Sequence, residues 1–155
     1  MTDLSDLIGV DSIEASLSVA NKKSLFQQLG SAVSRRTGIP SKDIVAALSE
    51  RERIGSTGFG GGVAIPHGKI EGLNRIYCLF ARLAEPIDYK AIDGGPVDLV
   101  FLLLSPVDAG ADHLKALAAI SRVTRHAPTL EKMRGARSRD ALAAVLMGAD
   151  ERDAA

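Results

Sequence analysis

The segment 51–68, Arg-Glu-Arg-Ile-Gly-Ser-Thr-Gly-Phe-Gly-Gly-Gly-Val-Ala-Ile-Pro-His-Gly, concentrates the residues whose types and spacing could do chemistry. It holds six of the fifteen glycines and one of the three histidines of the chain. Four glycines between Gly58 and Gly62 predict a pliable loop, because glycine adopts backbone conformations that other residues avoid. Pro66 fixes its own φ and favours an extended residue before it. The segment therefore predicts that His67 is presented at the end of a short strand.

Neither a nucleotide-binding loop nor a hydrolase elbow fits this segment. A P-loop needs a lysine after its second glycine, and residues 51–68 contain none. A dinucleotide-binding fingerprint would need glycine where Val63 stands. Ser56 has Gly55 directly before it and therefore lacks the Gly-x-Ser-x-Gly pattern of a nucleophile elbow. Cys78 lies in an apolar stretch, where a small inert side chain is the ordinary interpretation.

A histidine can itself be the reacting group. Neutral imidazole is a good nucleophile near pH 7 and can carry a phosphoryl group covalently. Such a carrier needs an exposed ring held by its second nitrogen, and donors for three phosphoryl oxygens. The residues alone leave a second interpretation of His67 open, that of a side chain merely hydrogen-bonded at a strand end. The donors that the segment offers are the loop N–H groups, including that of Gly58, the hydroxyls of Ser56 and Thr57, and the cations Arg51 or Arg53.

Composition narrows the classes of protein to which this chain can belong. The chain has 155 residues, of which 46% are hydrophobic and 25% charged, as expected for one globular domain spanning 1–155. A formal net charge of zero argues against nucleic-acid binding. The single cysteine and the lack of Cys/His spacing predict no metal site and no disulfide. An acidic N-terminus and short apolar runs predict a cytoplasmic protein without membrane insertion.

Hydrophobic periodicity predicts helices on both sides of a group of strands. Before the segment we expect a helix over 21–36, ended by Gly38 and Pro40, and a second one capped by Ser41 and ended at 50–53. After it we expect a loop over 69–74, strands over 76–83 and 97–104, and a short strand over 87–89.

The C-terminal third predicts further helices. Asp112 is expected to cap a helix over 113–125, which Pro128 follows as a chain break, and Ser138 to cap the last helix. The tail from Asp150 is expected to fray. One face of the helix over 113–125 is predicted to carry Leu114, Leu117, Ala118 and Ser121 toward the core. A solvated basic run is predicted after it, comprising Arg134, Arg137 and Arg139. This order of elements predicts an α/β fold in which a mixed sheet lies between helical layers.

Four stretches carry a resemblance to a known family. Residues 51–58, 62–68, 91–100 and 112–117 resemble the mannitol/fructose-type enzyme IIA domains of the bacterial phosphoenolpyruvate phosphotransferase system, the first two stretches matching their active-site signature. The matches keep their order over nearly the whole chain. Within that family the chain is most similar to the stand-alone nitrogen-related members, because no IIB module or membrane IIC module is attached to it.

The resemblance implies a fold and a set of site residues. The implied fold is a single domain with a mixed five-stranded sheet flanked by helices on both faces. The resemblance places the phosphoryl group on His67, with His113 beside it and Arg51 as a nearby cation. From the residues alone, His113 is better explained as the exposed neighbour of a helix cap. Phe59 has no periodic apolar neighbours, and the family context favours a contact with a partner over a position in the core.

The resemblance also implies partners and a role. The expected phosphoryl donor is a phosphohistidine carrier protein, HPr or its nitrogen-branch counterpart NPr. The expected role is that of a phosphocarrier that regulates target proteins, such as transporters or sensor kinases, according to its phosphorylation state. It would be a phosphotransferase component without a turnover substrate of its own and without a cofactor. Two alternatives stay open: a sugar-specific IIA subunit that passes the group to a separate IIB, and a IIA-like binding module that takes up no phosphate.

Overall fold

The computed structural model describes residues 3–148, and the expected frayed tail from Asp150 lies outside the described residues. Helices and strands follow one another as α1 (Leu4–Leu7), β1 (Ile13–Leu17), α2 (Lys22–Thr37), α3 (Ser41–Ile54), β2 (Gly58–Gly60), β3 (Val63–Ala64), β4 (His67–Ile70), β5 (Tyr77–Ile87), β6 (Val97–Pro106), α4 (Ala111–Thr124), α5 (Ala127–Gly135) and α6 (Arg139–Met147). None of these helices is long and apolar enough to cross a membrane.

The strands form one mixed sheet, which confirms the predicted α/β class. Its order is β1-β5-β6-β3-β2, and β4 also pairs with β6. The two long strands β5 and β6 are antiparallel, whereas β1, β3 and β4 pair in parallel. The resemblance implied five strands, and the sheet has six among residues 3–148, because β3 and β4 follow each other along the same edge of β6. The residues between them, Ile65 and Pro66, interrupt the ladder, since proline has no N–H to donate.

Each face of the sheet is covered by its own hydrophobic cluster. Adjacent residues of β5 and β6 point to opposite faces, as strand geometry requires. The rings of Phe80 and Phe101 meet on one face with centroids 4.9 Å apart, and helices α1, α4, α5 and α6 cover this face. Leu79 and Leu102 lie on the other face, which α2 and α3 cover. The central strands are therefore buried on both sides, which explains their nearly continuous apolar sequence.

Most helix boundaries follow from local chemistry. The side chain of Asn21 accepts the N–H of Ser24 at the start of α2, and Gly38 ends that helix with a positive φ of 79°. Ser138 caps α6 by accepting the N–H of Ala141, as predicted. Two predicted caps are wrong. Ser41 is the first residue of α3 after Pro40, and Asp112 lies within the first turn of α4, which begins after Gly110.

Several other predictions about the elements are wrong. The predicted loop over 69–74 begins as the end of β4, and Ile87 is the last residue of β5 instead of part of a separate strand. Pro128 does not break the chain but lies in the first turn of helix α5, where its missing N–H costs nothing. Leu114 is 66% exposed, because the face of α4 that packs on the sheet comprises Ala116, Ala119, Ile120 and Val123. The short elements α1 and β1 and the helix α5 were not predicted.

Candidate functional site

His67 is the first residue of β4, directly after the break at Ile65 and Pro66, so the prediction that it ends a short strand is wrong. It pairs with Leu103 of β6, whose N–H donates to the carbonyl oxygen of Pro66 at 3.0 Å. Helix α3 crosses close above this point. A Cβ on Gly68 would lie 3.2 Å from the carbonyl oxygen of Ala47, so the close approach of α3 leaves little room for a side chain there. The start of β4 is thus held between α3 and the central strand.

The imidazole of His67 is mostly buried, with 8% of the residue exposed. This exposed fraction is smaller than expected, because a phosphoryl carrier was expected to present an exposed ring. The Nδ1 atom lies 2.7 Å from the carbonyl oxygen of Ile65. A carbonyl oxygen can only accept a hydrogen bond, so Nδ1 must carry the proton and donate it. The neutral ring then has its lone pair on Nε2, which is the nitrogen that can act as a nucleophile or base.

Burial also keeps this ring neutral. Desolvation lowers the pKa of His67 below its ordinary value, and the positive charge of Arg51 acts in the same direction. The hydrogen bond to Ile65 and the negative charge of Glu52 oppose this shift without cancelling it. At neutral pH the ring is therefore uncharged, with its lone pair available.

His113, in the first turn of α4, lies beside His67, and the centroids of the two rings are 5.7 Å apart. Its Nδ1 is 2.6 Å from the hydroxyl oxygen of the buried Ser105, at the end of β6. Burial lowers the pKa of His113 first, and His67 and then Lys69 lower it further. The structure thus brings two neutral imidazoles together from residues 46 positions apart in the sequence.

Arg51 lies in the last turn of α3, close enough to His67 to influence its pKa. Its Nη1 donates to the carbonyl oxygen of Gly55 at 2.8 Å, so the guanidinium closes the C-terminal end of its own helix. Arg53, the other cation considered, pairs with Glu50 on the exposed side of the helix. Of the two candidate cations, Arg51 is therefore the one that lies close to His67.

The residues expected to donate to phosphoryl oxygens have other partners in the structure. The hydroxyl of Thr57 is fully buried and contacts Glu52 Oε1 at 2.6 Å and the Tyr89 hydroxyl at 2.7 Å. This position does not fit the predicted donor role, because a hydroxyl buried inside the fold cannot reach a ligand at the surface. The N–H of Gly58 donates to the half-buried Ser56 Oγ at 3.1 Å. The Ser56 hydroxyl keeps its own proton for a further bond.

The predicted glycine loop is the turn of a β-hairpin that connects β2 and β3. Gly60, Gly61 and Gly62 all have positive φ, which non-glycine residues rarely adopt. The N–H of Gly61 donates to Asp93 Oδ2 at 3.2 Å, and its carbonyl oxygen accepts from Arg134 Nη2 at 2.8 Å.

Arg134 was predicted to belong to a solvated basic run, and it is exposed, but its side chain also has partners that the sequence did not indicate. Its guanidinium makes two hydrogen bonds of 2.8 Å to the carboxylate of Asp98 in addition to the one to Gly61. Helix α5 therefore holds the hairpin turn through this one side chain.

Phe59 lies in β2 beside this turn and is 49% exposed. Further exposed apolar side chains occur near the site in the sequence: Ile54 ends α3, and Leu114 follows His113. Ile92 is 71% exposed, and its N–H donates to the carbonyl oxygen of Gly58, which places it next to β2. Phe59 thus stands on an apolar surface and not in the core.

Three residues important for the geometry were not singled out from the sequence. Glu52, Lys22 and Tyr89 form a partly buried polar group with Thr57 behind the site. Lys22 Nζ donates to Glu52 Oε2 at 2.8 Å and lies 4.3 Å from the centroid of the Tyr89 ring. The position of Glu52 next to Arg51 in the segment 51–68 was the only feature of the local sequence that could have indicated this polar group.

No metal centre is found at this site among the described residues. Within residues 3–148, no group of three or more His, Cys, Asp or Glu is arranged to hold a metal ion. A cleft of about 830 Å³ lies between the turn after α1 and the turn before β5, and His67 does not line it. Cys78, at the bottom of β5, is buried, which raises the pKa of its thiol to about 12 and makes it unreactive.

Known proteins are similar to this chain in both sequence and fold. Residues 6–148 match the family described as phosphoenolpyruvate-dependent sugar phosphotransferase system, EIIA 2. The nitrogen regulatory protein of Bradyrhizobium diazoefficiens is 46% identical over 92% of this chain and 94% of its own length. The fructose-specific EIIA component of Haloferax volcanii is 34% identical over 94% of this chain and 96% of its own length.

A solved structure agrees with these sequences. The crystal structure of the nitrogen regulatory protein IIA-Ntr from Neisseria meningitidis superposes with a TM-score of 0.85 at 33% identity, covering 91% of this chain and 97% of that one. The chain therefore belongs to the EIIA type 2 family of the phosphotransferase system, among relatives named nitrogen regulatory proteins.

Proposed function

We propose that this protein is a phosphocarrier and regulator of the nitrogen-type phosphotransferase branch, and that His67 is its phosphoryl acceptor. The single observation that carries the proposal is the hydrogen bond from His67 Nδ1 to the carbonyl oxygen of Ile65. It assigns the lone pair to Nε2, and burial keeps that lone pair unprotonated at neutral pH. A nucleophilic nitrogen of fixed identity is what phosphoryl transfer to histidine needs.

The transfer step follows from this arrangement. The donor is a phosphohistidine carrier protein, HPr or NPr. The lone pair of His67 Nε2 forms the new N–P bond as the carrier's N–P bond breaks, and the carrier's imidazole keeps the electron pair. The Nδ1–H of His67 stays bonded to Ile65 and stabilises the positive charge that the ring acquires. Arg51 and His113, which lie near His67, would meet the phosphoryl oxygens, and the Ser56 hydroxyl is a further candidate donor.

Regulation would follow from the phosphorylation state of the same residue. A phosphoryl group adds negative charge beside exposed apolar side chains, and this changes which partner surfaces fit. We propose that target proteins, such as transporters or sensor kinases, bind one of the two states more tightly. Such a carrier has no turnover substrate of its own, and its carrier and targets place it in the cytoplasm.

A second candidate is a sugar-specific IIA subunit. It is supported by the similarity to the fructose-specific component of Haloferax volcanii over nearly the full length of both chains. In addition, the fold is shared by enzyme IIA for mannitol of Escherichia coli in its solved complex with phosphorylated enzyme IIB. Mixing the phosphorylated protein with fructose or mannitol IIB separates the candidates, because only a sugar-specific subunit would transfer the group rapidly.

The main experiment is incubation with phosphorylated HPr or NPr, followed by intact mass measurement and ³¹P NMR. We expect one acid-labile phosphoryl group per chain, on Nε2. Two variants, His67→Ala and the more polar His67→Gln, should show no labelling while circular dichroism reports a folded protein. His126→Ala is the matched control, since this third histidine contacts Thr129 at the start of α5 and should label normally. Labelling of His67→Gln at the wild-type rate would disprove the assignment.

If the wild-type protein takes up no phosphoryl group from either carrier, the remaining alternative is a binding module with a IIA fold.

A further inference from the structure

Glu52 is a partly buried acidic residue to which the proposed transfer assigns no role. Its side chain is 8% exposed. Oε2 accepts from Lys22 Nζ at 2.8 Å and from the N–H of Thr57 at 3.0 Å. Oε1 accepts from the Thr57 hydroxyl at 2.6 Å. One carboxylate thus holds Thr57 by both its backbone and its side chain.

The direction of each hydrogen bond follows from the chemistry of the groups. Burial would raise the pKa of Glu52, but the hydrogen bonds from Lys22 and Thr57 outweigh it and lower the pKa, so the group is ionised. An ionised carboxylate only accepts, and the Thr57 hydroxyl therefore donates its one proton to Glu52. The Tyr89 hydroxyl lies 2.7 Å from Thr57 Oγ1 and 3.3 Å from Glu52 Oε1, so it donates its proton mainly over the shorter contact, to Thr57. With both its proton and a lone pair used, the Thr57 side chain has a single orientation.

Two further hydrogen bonds connect Thr57 to the reacting histidine. The carbonyl oxygen of Thr57 accepts the N–H of Ile65 at 2.9 Å. The carbonyl oxygen of Ile65 accepts the Nδ1–H of His67 at 2.7 Å. Pro66 follows Ile65 and fixes the backbone at the next residue. The position of the Ile65 carbonyl therefore depends on Thr57, and that of Thr57 depends on Glu52.

We propose that Glu52 is a positioning residue, which acts through Thr57 and Ile65 to fix the tautomer of His67. The carboxylate holds Thr57, Thr57 holds Ile65, and the Ile65 carbonyl keeps the proton of the imidazole on Nδ1. If this carbonyl moves away, the tautomer with its proton on Nε2 becomes populated. That tautomer has no lone pair on Nε2 and cannot form the N–P bond there. The part of the inference that concerns phosphoryl transfer rests on the proposed function, whereas the tautomer can be observed without it.

The key variant is Glu52→Gln, which keeps the size of the side chain but removes its charge and one of its acceptor atoms. Thr57→Val removes only the hydroxyl, and Thr57→Ser restores it in a smaller side chain. The matched control is Glu50→Gln, because Glu50 lies on the same helix but is exposed and pairs only with Arg53 among the described contacts.

The first readout is the tautomer of His67 in ¹⁵N-labelled protein without any carrier, measured from the ¹⁵N chemical shifts of its two ring nitrogens. We expect Nδ1–H alone in the wild type, in Glu50→Gln and in Thr57→Ser. In Glu52→Gln and Thr57→Val we expect a measurable fraction of Nε2–H. A residue that only stabilised the end of α3 would change the melting temperature but not these shifts.

The second readout is the kinetics of phosphoryl uptake from phosphorylated HPr. We expect Glu52→Gln to lower the maximal rate roughly tenfold, since small misplacements of a reacting group are costly. The carrier concentration at half-maximal rate should change less than about twofold. The reason is that Glu52 lies behind the site and not on the surface that the carrier would contact.

The two proposals fail in different ways. A folded Glu52→Gln protein with the wild-type tautomer and the wild-type maximal rate would overturn the positioning role. If Glu52→Gln does not fold, the same two measurements on Thr57→Val decide. If the wild type takes up no phosphoryl group while the tautomer still shifts in Glu52→Gln, the proposed function fails and the positioning role stands.

Discussion

Replacing Phe59 by alanine tests whether this side chain contributes to binding of the carrier protein or to the stability of the fold. Phe59 lies in β2 at the edge of the sheet, next to the glycine turn, and is 49% exposed. It lies between Gly58 and Gly60, which offer no side chains to pack against. If the surface around it receives the phosphohistidine carrier, this ring is a natural anchor, because aromatic side chains dominate many small interfaces.

The expected effect on stability is small. Complete burial of a phenylalanine side chain contributes about 1.5–3 kcal/mol, so a half-exposed ring contributes about 1 kcal/mol. In a domain of this size, that loss lowers the melting temperature by about 2–4 °C. A phenylalanine in the core would cost about 3–5 kcal/mol on truncation to alanine. Thermal unfolding therefore distinguishes the two positions clearly.

The expected effect on transfer is larger. Loss of an interface anchor typically costs about 1–2 kcal/mol, which raises the carrier concentration at half-maximal rate roughly tenfold. The maximal rate should stay near that of the wild type, because Phe59 does not hold the reacting nitrogen. The assay is a series of phosphoryl-uptake time courses at increasing concentrations of phosphorylated carrier.

The matched control is Val10→Ala, since Val10 is an exposed apolar residue just before β1. The sheet order places β1 four strand spacings from β2, roughly 19 Å away. This variant should not change the dependence on carrier concentration. A Phe59→Ala protein with wild-type carrier dependence, or one that melts more than about 10 °C lower, would refute the docking role.

Three other predictions follow from the site and its supports. His113→Ala should lower the rate of phosphoryl uptake by roughly two to three orders of magnitude without abolishing it, and complete loss in a labelling time course would contradict a supporting role. Because burial lowers the pKa of His67, the unfolded chain binds its proton more readily. The unfolding free energy should therefore fall as the pH drops from about 6.5, and urea titrations at pH 7.5 and pH 5.5 should show a smaller fall in His67→Gln. Arg134→Ala removes the contacts to Asp98 and Gly61, so amide hydrogen exchange at Gly61 should speed up, and unchanged exchange would show that the turn does not depend on α5.

The sequence predicted what local patterns determine. Helix α2 and the strands β5 and β6 follow from periodicity and apolar runs, and the α/β class follows from the order of elements. The motif around His67 was recognisable because its glycines and proline serve the local backbone. The short elements α1 and β1 escaped because each offers few buried positions to form a pattern.

The supports of the site escaped for another reason. Lys22 and Glu52 are 30 residues apart, and Thr57 and Tyr89 are 32 apart, so their contacts exist only after the sheet and helices have assembled. Arg134 illustrates the same limit, since it lies in a basic run that resembles ordinary surface. Its partner Asp98 is 36 residues away, and nothing near Arg134 in the sequence indicates the pairing.

The proposed reaction makes two opposite demands on His67. The ring must be buried, because desolvation keeps it neutral and leaves the lone pair on Nε2 free, yet a second protein must reach it. An imidazole on an open loop would meet the second demand, but it would lack the fixed tautomer that the Ile65 carbonyl imposes. The structure holds the ring against the backbone at the start of a strand and places the exposed Phe59 on a neighbouring hairpin. Positioning and recognition are thereby assigned to different residues, and this is why Glu52→Gln is expected to change the maximal rate and Phe59→Ala the dependence on carrier concentration.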